Sequence, residues 1–314
     1  MQVLVVGGNG FIGHSLVRKL TAAHFRVTVC GRKPMPARAL PPGAIYVAAP
    51  LGDSDALIRL VGNADLVVHL ASATVPGTGD SDPRLDVEIN LVGTLNLLEA
   101  MRQTGRRRLL FLSSGGTVYG IPKQIPIPET HDLAPISSYG VVKVAIESYL
   151  RLYERQHGLL PVIIRPSNPY GPMQGNIGVQ GIIGTFLARA ATGQPAEIWG
   201  DGTVVRDYLF VDDLADLCIQ ALESDLTGAF NGGSGAGTSV IEIVNLIREV
   251  TGRELPILFR AARKSDVPSN ILDIRRARTD LGWQPQTPLR DGVDLTWRAL
   301  VGSDLDPARM RCET

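Results

Sequence analysis

Tyr139 and Lys143 stand four residues apart in Tyr-Gly-Val-Val-Lys, a spacing that brings a phenol and an ammonium to one face of a helix about one turn apart. A free phenol, with a pKa of about 10, is a poor base at neutral pH, and neighbouring cations favour its phenolate. Such a pair can take the proton of a sugar hydroxyl while a hydride leaves the same carbon, or run in reverse to reduce a ketone. Tyr and Lys are also ordinary residues of amphipathic helices, so the spacing acquires meaning only from its context.

A second cluster lies at the start of the chain, where Gly7, Gly10 and Gly13 recur every three residues in Val-Val-Gly-Gly-Asn-Gly-Phe-Ile-Gly. Glycine tolerates positive φ in a tight turn and leaves backbone N–H groups bare, and the helix that opens at Phe11 and Ile12 adds partial positive charge. The pattern therefore predicts a pyrophosphate-binding turn, against the plainer reading of an ordinary strand-to-helix connection. At the end of the next strand, where an acid commonly meets the adenosine ribose, the chain reads Val29-Cys30-Gly31-Arg32-Lys33. A guanidinium there suits a 2′-phosphate, so the cofactor is NAD or NADP with Arg32 favouring NADP, unless Arg32 and Lys33 are solvated surface charges.

The elements that must position these groups follow from periodicity. Short apolar runs at 3–6, 27–30, 44–48, 66–70, 108–113 and 161–165 alternate with helical spacing at 11–23, 54–61, 86–104 and 138–157. This is the pattern of βαβ units feeding a doubly wound parallel sheet, an α/β Rossmann architecture with each strand buried on both faces. After Arg165 the texture changes to Pro-Ser-Asn-Pro-Tyr-Gly-Pro and a Gly-rich run to Gly184, a breaker cluster suited to a junction and a binding loop. Residues 1–172 are thus expected to form the dinucleotide-binding domain, with 204–235 returning to it. Residues 173–314 form mainly a smaller C-terminal α/β region, with helices at 182–192, 211–222 and 239–251, a strand at 196–199, a Pro- and Arg-rich tail and a frayed end from Ser303.

Composition narrows the class. Thirty-one basic residues balance thirty-one acidic ones in 314 residues, which leaves no long-range field to hold a nucleic acid or an anionic membrane. Cys30, Cys218 and Cys312 are scattered without metal-ligand spacing, so neither a disulfide framework nor a metal site is expected. No leader pattern follows Met1 and no apolar run approaches the roughly 18 residues of a membrane span. A cytoplasmic location is the expectation.

The Tyr-Lys pair is not isolated. Ordered along the chain are His69-Leu-Ala-Ser, Asn90-Leu-Val-Gly-Thr-Leu-Asn-Leu-Leu-Glu, Ser113-Ser-Gly-Gly-Thr-Val-Tyr-Gly, Arg165-Pro-Ser-Asn-Pro-Tyr-Gly-Pro, Gly200-Asp-Gly-Thr-Val-Val-Arg-Asp-Tyr, Val211-Asp-Asp-Leu-Ala, Arg263-Lys-Ser-Asp-Val and Leu281-Gly-Trp-Gln-Pro. With these motifs the chain resembles, almost end to end, the extended short-chain dehydrogenases/reductases, and among them nucleotide-sugar 4-epimerases of the UDP-galactose 4-epimerase type. The resemblance implies that Tyr139 and Lys143 are catalytic and that Lys143 also meets the nicotinamide ribose. It implies that Leu70, Ala71 and Ser72 pass close to the dinucleotide and that Asn90 lies at a helix kink beside the site. For the nucleotide-diphosphate sugar it implies Asn168 in the cleft and Arg206 and Arg263 on the diphosphate, although these arginines can instead pair with Asp207 and Asp266. It further implies a homodimer built on the helices that carry Asn90 and Tyr139.

The chain departs from the family pattern at Gly115, where a Ser or Thr usually hydrogen-bonds the reacting sugar oxygen. Ser114 and Thr117 are the neighbours expected to replace that hydroxyl, with the Gly115 N–H a partial substitute. The Asp-Glu pair used by dehydratases of the family is absent from this segment, which disfavours elimination of water. Asp53 falls slightly late for the usual adenine contact, and Asn270 occupies a position that is bulky and aromatic in some relatives. The expected function is a nucleotide-sugar 4-epimerase. An NADPH-dependent 4-ketoreductase acting on a 4-keto-6-deoxy sugar nucleotide is the alternative, and a non-catalytic NADP-binding sensor a further one.

Overall fold

The structure is a computed structural model that describes residues 1–74, 80–174, 181–262 and 267–302. Fourteen strands are found among them: β1 (Gln2–Val6), β2 (Arg26–Gly31), β3 (Ala44–Ala48), β4 (Leu66–His69), β5 (Arg108–Leu112), β6 (Leu160–Pro166), β7 (Asn168–Tyr170), β8 (Ala196–Trp199), β9 (Val205–Arg206), β10 (Tyr208–Phe210), β11 (Gly228–Gly232), β12 (Thr238–Ser239), β13 (Ile257–Arg260) and β14 (Ser269–Asn270). Seven of these make one parallel sheet in the order β11-β6-β5-β4-β1-β2-β3.

The helices are α1 (Phe11–Ala22), α2 (Ser54–Gly62), α3 (Pro83–Asp86), α4 (Gly93–Thr104), α5 (Ser138–His157), α6 (Ile182–Thr192), α7 (Val211–Glu223), α8 (Val240–Thr251), α9 (Arg275–Leu281) and α10 (Leu289–Gly302), with a π-helical stretch, Val87–Val92, between α3 and α4. Alternation along each strand sends Val3, Val5, Leu110 and Ile164 to α1 and α7 on one face. Leu4, Val6, Phe111 and Ile163 go to α2, α4 and α5 on the other. Burial on both faces is why these strands read as continuous apolar runs.

Two expectations are corrected. The 44–48 run is not buried on both faces, because β3 is the outer strand and Ile45 is exposed. The tail after 252 is not an irregular Pro/Arg-rich segment throughout, since β13, β14, α9 and α10 all form there. Helix α9 (RRARTDL) buries only Ala277, so it carries almost no apolar period to read. Further elements went unread, among them β7 and β10, which pair with each other, β9, β12 and α3, β11 (GAFNG), which closes the sheet beside β6, and the π turn. The expected frayed end from Ser303 lies outside the described residues.

Strand order reverses between β1 and β4, the switch point at which open α/β sheets bind ligands beyond their strand ends. The C-terminal region packs its own core, including Phe186, Leu187, Ile198, Ile243, Ile247 and Val293, against that end of the sheet. Helix α7 returns to cover the sheet beside α1, where Ser15 hydrogen-bonds Asp212 and Lys19 pairs with Asp216 at 2.7 Å. Among the described residues no helix is long and apolar enough to cross a membrane.

Candidate active site

A cleft of about 560 Å³ opens at the switch point, between the ends of β1, β4, β5 and β6 and the C-terminal region. The glycine turn forms its floor. Gly7 adopts φ +85°, and a Cβ on it would lie 2.6 Å from the Ala71 nitrogen; a Cβ on Gly13 would lie 2.6 Å from the Gly7 oxygen. Gly7 and Gly13 are therefore required by backbone packing, and Gly10, which caps α1, faces the cleft together with Phe11, Ile12, Leu70 and Ser72. Ala71 packs under Gly7 and is not among the lining residues. Arg32 is exposed just beyond β2, outside this cleft.

Helix α5 is set by its ends: the Ser137 hydroxyl accepts from the Gly140 N–H at 3.2 Å, and Gly158 closes it in the left-handed conformation. This fixes Tyr139 and Lys143 on the cleft face. Lys143 Nζ donates to the Leu112 carbonyl at 2.8 Å and sits 5.5 Å from the centre of the Tyr139 ring. Burial pulls Lys143 down to about 8, opposed by Glu147 and Asp86. Burial pushes the Tyr139 phenol well up, Asp86 adds to this, and a hydrogen bond with Ser72 opposes it. Burial thus works against the phenolate, which is expected from Lys143 together with a bound nicotinamide cation. His69, buried between Thr94, Phe111 and Lys143, is held near 3 by burial and by the Lys143 charge, and stays neutral.

Asn90 lies in the π turn, where its Oδ1 accepts from the Ala73 N–H at 2.8 Å and its Nδ2 donates to Thr74 Oγ1 and Asp86 Oδ1. Its side chain is absorbed in holding the loop after β4. It positions the wall of the cleft and is not among the residues lining it.

The segment after β5 places Ser113, Ser114, Gly116 and Thr117 on the cleft, while Gly115 is buried behind it. A Cβ at 115 would meet Leu272 Cδ1 at 2.6 Å and the Arg165 carbonyl oxygen at 2.9 Å. The Gly115 N–H donates to the Pro166 carbonyl at 2.8 Å. The idea that this N–H substitutes for the lost hydroxyl is therefore corrected. Thr117 Oγ1 is buried without a hydrogen-bond partner.

The far wall brings together Asn168, whose Nδ2 donates to the Asp207 carbonyl, and Arg206, whose Nη1 donates to the carbonyls of Val205 and Val267 at 2.9 and 2.7 Å. The Asp207 carboxylate is engaged by Ser234, Gly235 and Leu272; its part in an ion pair with Arg206 is corrected accordingly. Arg263, with Asp266, lies outside the described residues. Asp53 caps α2 through the Ala56 N–H at 3.0 Å, and Asn270 is a buried strand residue that donates to the Gly115 carbonyl.

Sequence reasoning missed Ser167, Gln174, Trp199 and Tyr208, all on the cleft. Ser167 Oγ, Gln174 Oε1 and Tyr208 Oη share with Thr117 the property of being buried without a partner. Buried polar atoms are normally hydrogen-bonded, so their convergence on one cleft suits a ligand rich in hydroxyls. The bare glycines of the other wall suit a dinucleotide.

A parallel sheet with this turn at its switch point, and a Tyr-Lys pair on the facing helix, defines an extended short-chain dehydrogenase/reductase enzyme. The comparisons agree. The chain belongs to the NAD dependent epimerase/dehydratase family, whose pattern matches residues 3–233. It is 36% identical over 305 residues to a UDP-glucose 4-epimerase of Mycolicibacterium smegmatis, covering 94% of this chain and 97% of that one. Its fold superposes with a TM-score of 0.91 on the UDP-glucose 4-epimerase of Thermotoga maritima with UDP-glucose, at 34% identity over 96% of this chain and 99% of that one. The UDP-glucose 4-epimerase of Thermus thermophilus in complex with NAD gives 0.91 and 34%, covering 96% and 100%.

Proposed function

We propose that this chain is a nucleotide-sugar 4-epimerase with a UDP-hexose as substrate. The observation that carries the reading is the union, in one cleft, of the Tyr139–Lys143 pair with a wall of unpartnered hydroxyl and amide groups and Arg206. When bound, the nicotinamide supplies a hydride acceptor that later returns the hydride to the opposite face of the sugar. Tyr139 takes the proton of the C4 hydroxyl and gives it back. Lys143 stabilises the phenolate, and Thr117, ahead of Ser114, supplies the hydroxyl that orients the sugar oxygen. Asn168 holds the sugar at the cleft, and Arg206 and Arg263 meet the diphosphate, each guanidinium offering a planar fork to anionic oxygens.

Arg32 and Lys33, with no acid beside them at the end of β2, support NADP over NAD. That pair also favours the second reading, a 4-ketoreductase that consumes NADPH. Unpaired, buried Cys30 and Cys218 suit a reducing cytoplasm. Exposed Leu85, Val87 and Val92 on one helix segment and Val141 and Leu152 on α5 support a homodimer through this pair.

The test is a panel of UDP-, GDP- and dTDP-sugars with their 4-keto forms, following sugar products and NADPH together. Interconversion of UDP-sugar epimers without net loss of NADPH is expected; steady NADPH consumption with a 4-keto sugar and no interconversion would overturn the reading. Tyr139→Phe should lower turnover by about 10²- to 10⁴-fold with the cofactor still bound.

A further inference from the structure

We propose that Ser167, at the end of β6, selects the sugar: its side chain hydrogen-bonds a sugar hydroxyl that flanks the reacting C4, on C3 or on C6. The inference rests on the UDP-hexose reading above and deepens it, adding a second hydroxyl to the one that Thr117 gives the C4 oxygen.

Backbone pairing fixes where Ser167 stands. Strands β5 and β6 run in parallel as far as Leu112 and Ile164, and their ladder continues past the strand ends. There the Ser113 N–H donates to the Ile164 carbonyl at 2.7 Å and the Gly115 N–H to the Pro166 carbonyl at 2.8 Å. On the other side the Ser167 N–H donates to the Gly232 carbonyl of β11 at 2.8 Å. The same end of β5 anchors the reacting pair, because the Leu112 carbonyl accepts from Lys143 Nζ. Ser167 thus enters the cleft from the strand next to that anchor, a lateral step of about 4.8 Å, within the span of one pyranose ring.

The Ser167 hydroxyl has no partner inside the protein. Only 6% of the residue is exposed, yet its Oγ makes no hydrogen bond while it lines the cleft. Polar neighbours that could have served it are spent elsewhere: Ser113 Oγ on Glu147, Asn168 Nδ2 on the Asp207 carbonyl and Ser72 Oγ on the Thr74 carbonyl. Across the ladder, Gly115 has no side chain to offer, and Leu272 fills the space one would take. Buried hydroxyls are normally hydrogen-bonded, so an orphan on a cleft wall is matched to a ligand. A serine hydroxyl both donates and accepts, which fits a neutral sugar hydroxyl of either orientation.

Deoxy substrates test the contact directly. On UDP-glucose, Ser167→Ala should lower kcat/KM by about 3- to 10-fold. On UDP-3-deoxyglucose or UDP-6-deoxyglucose, whichever lacks the contacted hydroxyl, variant and wild type should perform alike. A deficit that persists on both analogues, or no deficit on UDP-glucose, overturns the proposal. Calorimetric titration asks the same question without turnover: Ser167→Ala should weaken UDP-glucose by a similar factor and leave UDP and NAD unchanged. Weaker NAD with unchanged UDP-glucose would assign the hydroxyl to the cofactor and overturn the proposal. A wild type whose UDP-glucose affinity depends on Ser167, but which does not interconvert the epimers, overturns the epimerase reading alone. The ligand-free variant should unfold thermally at or above the wild-type midpoint, since a buried hydroxyl without a partner costs stability. A lower midpoint would make Ser167 a structural residue and overturn the proposal equally.

Discussion

Two fully buried carboxylates flank the Tyr139–Lys143 pair, and they are held in opposite ways. Glu147, one turn beyond Lys143, is clasped by Arg165 at 2.6 and 3.1 Å and by the Ser113 hydroxyl at 2.6 Å. Asp86, on α3, has, among the described residues, only neutral donors: Thr74 Oγ1 at 2.8 Å, Asn90 Nδ2 at 2.7 Å and Ser138 Oγ at 3.0 Å. Both favour a charged Lys143, but only Asp86 also bears on the phenol. A carboxylate with a guanidinium partner thus braces the architecture beneath the site, and one without a cation sets the field within it.

The largest effect should come from breaking the braced pair. Arg165→Met leaves Glu147 buried and uncompensated, and is expected to cost about 3–5 kcal/mol of stability, measured by urea unfolding. Arg165→Met combined with Glu147→Leu should recover most of that loss. A single-variant cost near zero would remove Glu147 from its structural role.

Next in size is Thr117→Val, which deletes the unpartnered hydroxyl of the cleft. Turnover should fall about 10- to 100-fold with stability unchanged, read as kcat alongside thermal unfolding. Ser114→Ala should do less, and the reverse ranking would move the missing hydroxyl to Ser114.

The smallest and most diagnostic change is Asp86→Asn. The Asp86 charge raises the pKa of both Tyr139 and Lys143, so its removal lowers both. The limb of the pH–rate profile that rises as the phenolate forms should move to lower pH, and Lys143 should lose its proton at lower pH. Glu147→Gln should leave the phenol limb in place. A rate loss in Asp86→Asn with an unmoved profile would make Asp86 a loop brace like Glu147, and the contrast would fail.

Much of this was legible in the sequence where local signals agreed. The bounds of helix α5, 138–157, are legible from apolar spacing alone, and the structure adds the Ser137 cap and the left-handed Gly158 that enforce them. Strand β11 was not legible, since Gly-Ala-Phe-Asn-Gly has little strand propensity and forms only because β6 offers it an edge. The glycine turn was visible in spacing, but that Ala71 is what forbids a Cβ at Gly7 was not. Ser167, Gln174 and Tyr208 stayed hidden for a different reason. A polar side chain declares itself by what fails to surround it, and that depends on residues distant in the chain.

Gly115 and Leu272 together set a practical limit on redesign. The leucine belongs to the C-terminal region, 157 positions from the glycine, yet its methyls fill the place a side chain at 115 would take. Gly115→Ser alone would therefore push against a packed core and against the Arg165 carbonyl before its hydroxyl reached any ligand. Returning the family's hydroxyl to this enzyme is a two-site task, in which Leu272 must shrink in the same step.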